Sequence, residues 1–218
     1  ALADPDINSI VLSDDIDLND LFNSSTLSTR ATAGSYGLLI PAGKEFTIDL
    51  NGKTLTHSKA CTASYSMIEN KGKLTIEDTS ANGNGKISFT DTGEGDPNAG
   101  WGSYTINNMG TLIVNSGTVE NLSAQNVDGG EFKHAFMAIF QYSGDTTING
   151  GKISTPHYRS IRIWHGSLVV NDGICEGQIW MQGVGDDASI EINGGSFAPV
   201  WNDGSSVFVE NIKYDIAM

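Results

Sequence analysis

The chain is poor in basic residues. Lysine and arginine together number 12 against 26 acidic residues, for a net charge of −14. A surface of that sign repels phosphate backbones and anionic headgroups, which argues against nucleic acid and membrane surfaces as partners. Cysteine is nearly missing: two in 218 residues exclude a disulfide-stapled scaffold. Proline numbers five, too few for a Pro-rich linker or stalk. No stretch approaches the ~20 apolar residues that cross a bilayer, so no membrane insertion is expected. The first residues show neither a charged n-region nor an apolar h-region.

Glycine is plentiful at 26, and many copies follow asparagine. That composition favours frequent tight turns over long helices. The turns are periodic. Leu112-Ile-Val-Asn-Ser-Gly-Thr-Val119, Thr146-Thr-Ile-Asn-Gly-Gly-Lys-Ile153, Leu168-Val-Val-Asn-Asp-Gly-Ile-Cys175 and Ile190-Glu-Ile-Asn-Gly-Gly-Ser-Phe197 align at Asn115, Asn149, Asn171 and Asn193, with spacings of 34, 22 and 22. Earlier copies are Phe46-Thr-Ile-Asp-Leu-Asn-Gly-Lys-Thr-Leu55 and the interrupted pair Leu74-Thr-Ile and Asn84-Gly-Lys-Ile87. A second glycine turn recurs in phase at Gly43, Gly72, Gly110, Gly144 and Gly166.

Apolar residues at period 2 between such turns describe short strands with one inward face. One circuit of strands cannot bury that face alone. Stacking circuits supplies the core and pairs the backbone. A sandwich of hairpins would place turns every 8–12 residues, without a 22-residue register. The expected fold is therefore all-β: a single-stranded parallel β-helix of about seven coils of ~22 residues with inserted loops. Asn and Gly at the corners are expected to tolerate positive φ. The equivalent asparagines can also share hydrogen bonds from coil to coil.

One domain spans 1–218. Residues 1–30 are read as a cap or first coil, 35–200 as regular coils and 201–218 as the last coil or cap. Surplus residues are expected at one phase, in segments 57–65, 91–102 and 121–134, with brief turns at 155–159, 176–178 and 198–202. Insertions in phase would form a wall beside a low floor, which often marks a binding face.

The pattern over roughly residues 35–200 resembles the pectin-lyase-like family of right-handed β-helices. The Phe46–Leu55 phrase looks like the opening coil of bacterial surface proteins in that group. The resemblance implies a right-handed helix, in agreement with the usual hand of parallel crossovers, and a secreted or cell-surface location.

The scarce residues cluster. Arg159 and Arg162 are two of three arginines, and His134, His157 and His165 are three of four histidines. Tyr142, Tyr158, Trp164 and Trp180 fall in the same coils, and Glu131 lies in the neighbouring insertion. If Ile161 and Ile163 face inward, Arg162 and Trp164 face outward, between Phe140 and Tyr142 one coil below and Trp180 one coil above. Rings that stack on sugar faces, beside guanidinium groups that reach hydroxyls or carboxylates, suit a polysaccharide or cell-surface glycan. The same rings could instead pack under the loops, with arginine as their shield.

Catalysis is less supported. The fragments Arg162-Ile, His165-Gly and Gly185-Asp-Asp resemble polygalacturonase motifs, but in reversed order and without the Asn-Thr-Asp element. A lyase-type arginine would need acidic calcium ligands on adjacent coils, and Asp128 and Glu131 are the nearest candidates. No catalytic residue is assigned. No cofactor is expected, beyond weak support for Ca2+ at Asp91–Asp96. Asp14, Asp15 and Asp17 read as a solubilising edge, and Asp186 and Asp187 as a solvated turn. Cys175 occupies an inward slot, Cys61 sits in an insertion, and no bond between them is expected. The reading is a noncatalytic, monomeric β-helix module, an adhesin or glycan binder. The alternatives are a polysaccharide lyase or hydrolase and a trimeric phage tailspike segment.

Overall fold

A computed structural model describes residues 4, 6–23, 36–93, 102–123, 127–128, 131–132, 135–181, 187–198 and 209–210. The described chain is almost wholly strand and turn. It opens with β1 (Ser9–Val11), β2 (Ile16–Asp17), helix α1 (Leu18–Asn23) and β3 (Tyr36–Ile40). Two further groups of three follow: β4 (Glu45–Asp49), β5 (Thr54–Lys59), β6 (Tyr65–Asn70), then β7 (Lys73–Glu77), β8 (Lys86–Asp91), β9 (Gly102–Asn108). Next come β10 (Thr111–Val114), β11 (Thr118–Asn121), the two-stranded hairpin β12 (Val127–Asp128) and β13 (Glu131–Phe132), and β14 (Ala135–Gln141). The chain continues through β15 (Asp145–Ile148), β16 (Lys152–Ile163), β17 (Gly166–Val170), β18 (Ile174–Met181), β19 (Ala188–Ile192), β20 (Ser196–Ala198) and β21 (Val209–Glu210).

Apart from the hairpin, every pairing is parallel, and partners lie one circuit of chain apart. The first ladder is a seven-stranded sheet in the order β1-β4-β7-β10-β15-β17-β19. The other strands form a twelve-stranded sheet containing two ladders. One runs β2-β5-β8-β11 into the start of β16, then through the start of β18 to β20. The other runs β3-β6-β9-β14 into the end of β16, then through the end of β18 to β21. Each circuit visits the three ladders in the same order.

The core is what the repeat predicts. Phe46, Leu74, Leu112, Thr146 and Leu168 follow one another in register on the first ladder and are buried. Leu55, Ile87, Val119, Ile153 and Cys175 do so on the second. Ile68, Ile106, Ile139, Ile161 and Ile179 do so on the third. Columns of branched side chains at this spacing interdigitate from strand to strand and exclude water.

The two turn types differ in how they work. Asn149 donates from Nδ2 to Asn115 Oδ1 (2.9 Å), Asn171 to Asn149 (2.8 Å) and Asn193 to Asn171 (2.9 Å), an exposed ladder of amides at the corner between the first two strands. The glycines two places on, Gly117, Gly151, Gly173 and Gly195, carry the positive φ. Among the asparagines at these corners, only Asn51 does. Asparagine is therefore present mainly for its amide and glycine for its backbone, a correction to the expectation that both serve φ. At the other corner a Cβ on Gly110 would meet the Gly72 carbonyl oxygen, one on Gly144 that of Gly110, and one on Gly166 that of Gly144. Glycine is needed there because successive backbones touch.

The inserted segments depart from expectation in three ways. Strands β5 and β6 extend further than read, which shortens the first insertion to 60–64. Residues 78–85 form an additional insertion at the first corner, so the surplus is not confined to one phase. The brief turns expected at 155–159 and 176–178 do not exist: β16 and β18 run through them, with register shifts between Ser154 and Ile161. A continuous strand is favoured there because each of its ends already has a ladder partner. The parts of the insertions that are described do lie together. Cys61 N donates to Asp91 Oδ1 (3.0 Å), and Asp91 N donates to Ser123 Oγ (2.7 Å). The remainder of that wall lies outside the described residues.

Candidate functional site

The outer face of the third ladder carries the candidate site. Parallel register stacks outward side chains in columns. One column is Glu69, Asn107, Phe140, Arg162 and Trp180. Beside it lie Tyr104, Met137, Arg159 and Gln178. Tyr142 and Trp164 continue the face at the ends of β14 and β16, where Trp164 N donates to Gln141 O (2.8 Å). Ile161 and Ile163 point inward and are fully buried, which turns Arg162 outward as alternation requires.

The arrangement combines both readings of the aromatic cluster. Tyr104, Met137 and Phe140 are buried and form a small outer core, against which Trp164 packs. The Tyr104 and Phe140 ring centroids are 4.6 Å apart. Burial raises the Tyr104 hydroxyl above its ordinary pKa, and the Arg162 charge opposes the shift. Tyr142 is exposed and Trp164 half-buried, with ring centroids 5.3 Å apart. Trp180, higher in the column, is half-buried as well.

The arginines are shielded by aromatic faces. The Arg162 guanidinium carbon lies 5.1, 5.2 and 4.9 Å from the ring centroids of Phe140, Trp164 and Trp180. That of Arg159 lies 3.4 Å from the Trp180 centroid, while its Nε donates to Gln178 Oε1 (3.2 Å). Such contacts hold the planar guanidinium groups in fixed orientations.

A groove of about 320 Å³ opens here, lined by Ser64, Ser66, Glu69, Tyr104, Asn107, Met109, Phe140, Tyr142, Arg162 and Trp164. At its lower end Glu69 is buried and pairs with Lys71 at 2.9 Å. That bond, together with the Glu69 charge, raises the Lys71 pKa. A second groove of about 430 Å³ crosses the first ladder between Asn8 and Glu77. Its one ring is Phe46, which points into the core, so it offers no platform to a sugar.

Six sequence-predicted residues are brought together: Tyr142, Arg159, Arg162, Trp164, His165 and Trp180. Asp187 sits exposed in a turn, as expected, and its Oδ2 lies 2.7 Å from His165 Nδ1. The backbones of His157 and Tyr158 run in β16 and that of Glu131 in β13, but their side chains lie outside the described residues. His134 and Asp186 lie outside them altogether. Glu69, Lys71, Ser64, Ser66 and Met109 were missed. Their signal was register: Glu69 lies in the column of Phe140 and Arg162, Ser66 three circuits below Arg159, and Lys71 and Met109 below Tyr142.

The remaining calls fall elsewhere. Asp91 is buried with a backbone-bonded Oδ1 (2.8 Å from Gly93 N), not part of a solvated loop, and 94–96 lie outside the described residues. Among the described residues no cluster of three His, Cys, Asp or Glu could hold a metal ion. Both cysteines are free and buried. Burial pushes the Cys175 thiol up to about 12. Cys61 does enter the core, contrary to expectation, and burial chiefly, with Asp91 beside it, raises its thiol further still.

No known protein family, curated protein or solved structure matches the chain.

Proposed function

We propose that the chain is a right-handed, seven-coil β-helix of the pectin-lyase-like kind, part of a secreted or cell-surface protein, that binds saccharide without cleaving it. The fixed order of the three ladders supports the coil reading, and the usual hand of parallel crossovers supports the handedness. The observation that carries the functional reading is the Tyr142–Trp164 ring pair beside Arg162, at the mouth of the third-ladder groove. Two rings tilted by 47° offer apolar surface to a sugar face, and a guanidinium beside them is a donor suited to hydroxyls.

Glycoside hydrolysis calls for two carboxyls flanking one bond. Among the described residues that line the groove the carboxyl is Glu69, paired with Lys71 at 2.9 Å. This supports binding over hydrolysis.

The test is a glycan array with the intact chain and a Tyr142→Ala/Trp164→Ala variant, with each hit then incubated and analysed for cleavage products. Binding should weaken at least tenfold in the variant, roughly 1.4 kcal/mol or more, while its circular dichroism spectrum is unchanged. Binding that survives the double substitution would overturn the site. Cleavage products would overturn the noncatalytic reading.

A further inference from the structure

We infer that the groove recognises a 2-acetamido sugar through Asn107, whose buried side-chain oxygen lacks a donor. This rests on the saccharide-binding reading above and names the sugar class that the same site takes.

Asn107 lines the groove and is only 8% exposed. Its Oδ1 is buried and accepts no hydrogen bond among the described residues. Buried acceptors are almost always paired, and an orphaned one costs free energy. The neighbouring Asn108 shows the ordinary case, bonded to Asn70, Asp145 and Thr146. Asn107 contributes no such bond to the fold, and the groove it lines is the side from which a donor arrives.

The surroundings select that donor. Glu69, next below Asn107 in the column, already pairs with Lys71 at 2.9 Å, so an ammonium would meet a cation there. An ionised carboxylate has acceptors alone and offers Oδ1 nothing; its place on a ligand is beside the arginines. A hydroxyl donates but leaves the apolar sides of Met109 and Phe140 uncovered. An acetamido group does both: its N–H donates to Oδ1 and its methyl lies against those side chains. The reach is right. Gln141 pairs with Asn108, so the exposed Tyr142 stands one circuit above and two residues along from Asn107. At strand spacing and rise this is roughly 8 Å between backbones. A pyranose stacked on Tyr142 carries its C2 substituent into the space above Asn107.

The experiment is calorimetric titration of the intact chain with two matched pairs that differ only at C2. These are chitohexaose against cellohexaose, and the methyl α-glycoside of N-acetylgalactosamine against that of galactose. Each titration is repeated with Asn107→Leu and with Tyr142→Ala. The expected result is that an acetamido member binds at least about tenfold tighter than its hydroxyl twin. Asn107→Leu should abolish that preference without lowering the thermal unfolding midpoint, because the acceptor it removes has no partner. Tyr142→Ala should weaken both members. Equal binding within each pair, or a preference that survives Asn107→Leu, overturns this inference and leaves the saccharide site standing. A lower unfolding midpoint in Asn107→Leu assigns Asn107 to the fold and overturns the inference as well. No binding by any of the four, or binding indifferent to Tyr142→Ala, overturns the saccharide site and this inference with it.

Discussion

His57, Asp49 and Asp78 give the fold a stability that should fall in two stages as pH drops. His57 is buried among Tyr65 and Phe89, with Nε2 2.9 Å from the Tyr65 hydroxyl. Burial first, then the Lys59 charge, lowers its pKa to about 4, against a smaller opposing pull from Asp17. The unfolded chain protonates this histidine near 6.5. Unfolding therefore takes up a proton between those values, and stability declines as pH falls from about 6.5 to 4, by on the order of 3 kcal/mol. The two carboxylates act lower. Burial raises both, but hydrogen bonds outweigh it: Thr79 and Asn51 donate to Asp49, while Ser80, Gly85 and Gly52 donate to Asp78. Their net shift is downward, so their contribution is complete above about pH 4 and lost as pH falls through their folded values. Urea melts across pH should show both stages, and a His57→Gln variant should lose the upper one. A wild-type profile flat from pH 7 to 4 would contradict the burial of a neutral imidazole.

At the scale of elements, the two corners hold the strands together by different means. The ladder of Asn115, Asn149, Asn171 and Asn193 is exposed, so water can replace its bonds, and Asn171→Ala should cost about 1 kcal/mol. The opposite corner is buried. Asn70 Nδ2 donates to Asn108 Oδ1 (2.8 Å), and Asn108 donates in turn to the Asp145 carbonyl (3.0 Å) and Thr146 Oγ1 (3.1 Å). Gln141 takes the next place in this column and binds the carbonyls of Gly144, His165 and Ser167. Asn108→Ala strands several dry polar groups and should cost about 3 kcal/mol or more. Equal costs at the two corners by chemical denaturation would refute the distinction. Gly144→Ala should be worse than its φ of +76° alone implies, which is about 1 kcal/mol. The added methyl meets the Gly110 carbonyl, so the paired strands β10 and β15 must part. Thermal denaturation measures the loss.

The inner ladder was legible and was passed over. Asn70 and Asn108 each precede a glycine by two places, Gly72 and Gly110, with the same spacing as Asn115 and Gly117. Only the glycines of that turn were read as signal. Alternation also sufficed to face Arg162 outward and Cys175 inward. It could not tell which outward rings stay wet. Phe140 has the pattern of a surface residue and is buried, because neighbouring side chains in the stacked strands close over it; Tyr104 shares the parity of inward Ile106 yet packs outside with Phe140.

For the molecule as a whole, contacts run almost entirely between neighbouring circuits, so stability should vary along the stack. Amide exchange should be slowest in β7, β10 and β15 and faster in β1 and β19, the outer strands of the seven-stranded sheet. Ile192 occupies an inward position in β19 yet is 43% exposed, while its ladder neighbour Val170 is fully buried. That difference marks the last strands as the weaker end. Uniform protection along the sheet would instead indicate one cooperative unit.

The sequence by itself determined the architecture. A recurrent register of apolar pairs and Asn-x-Gly turns specifies parallel stacked strands with a shared inner face, since period 2 sets the faces and the turn spacing sets the partners. The tertiary structure decided the site. Glu69, Asn107, Phe140 and Arg162 are separated in the chain by tens of residues of unequal insertion, and only strand pairing fixes which of them share a column, which are covered, and which meet solvent.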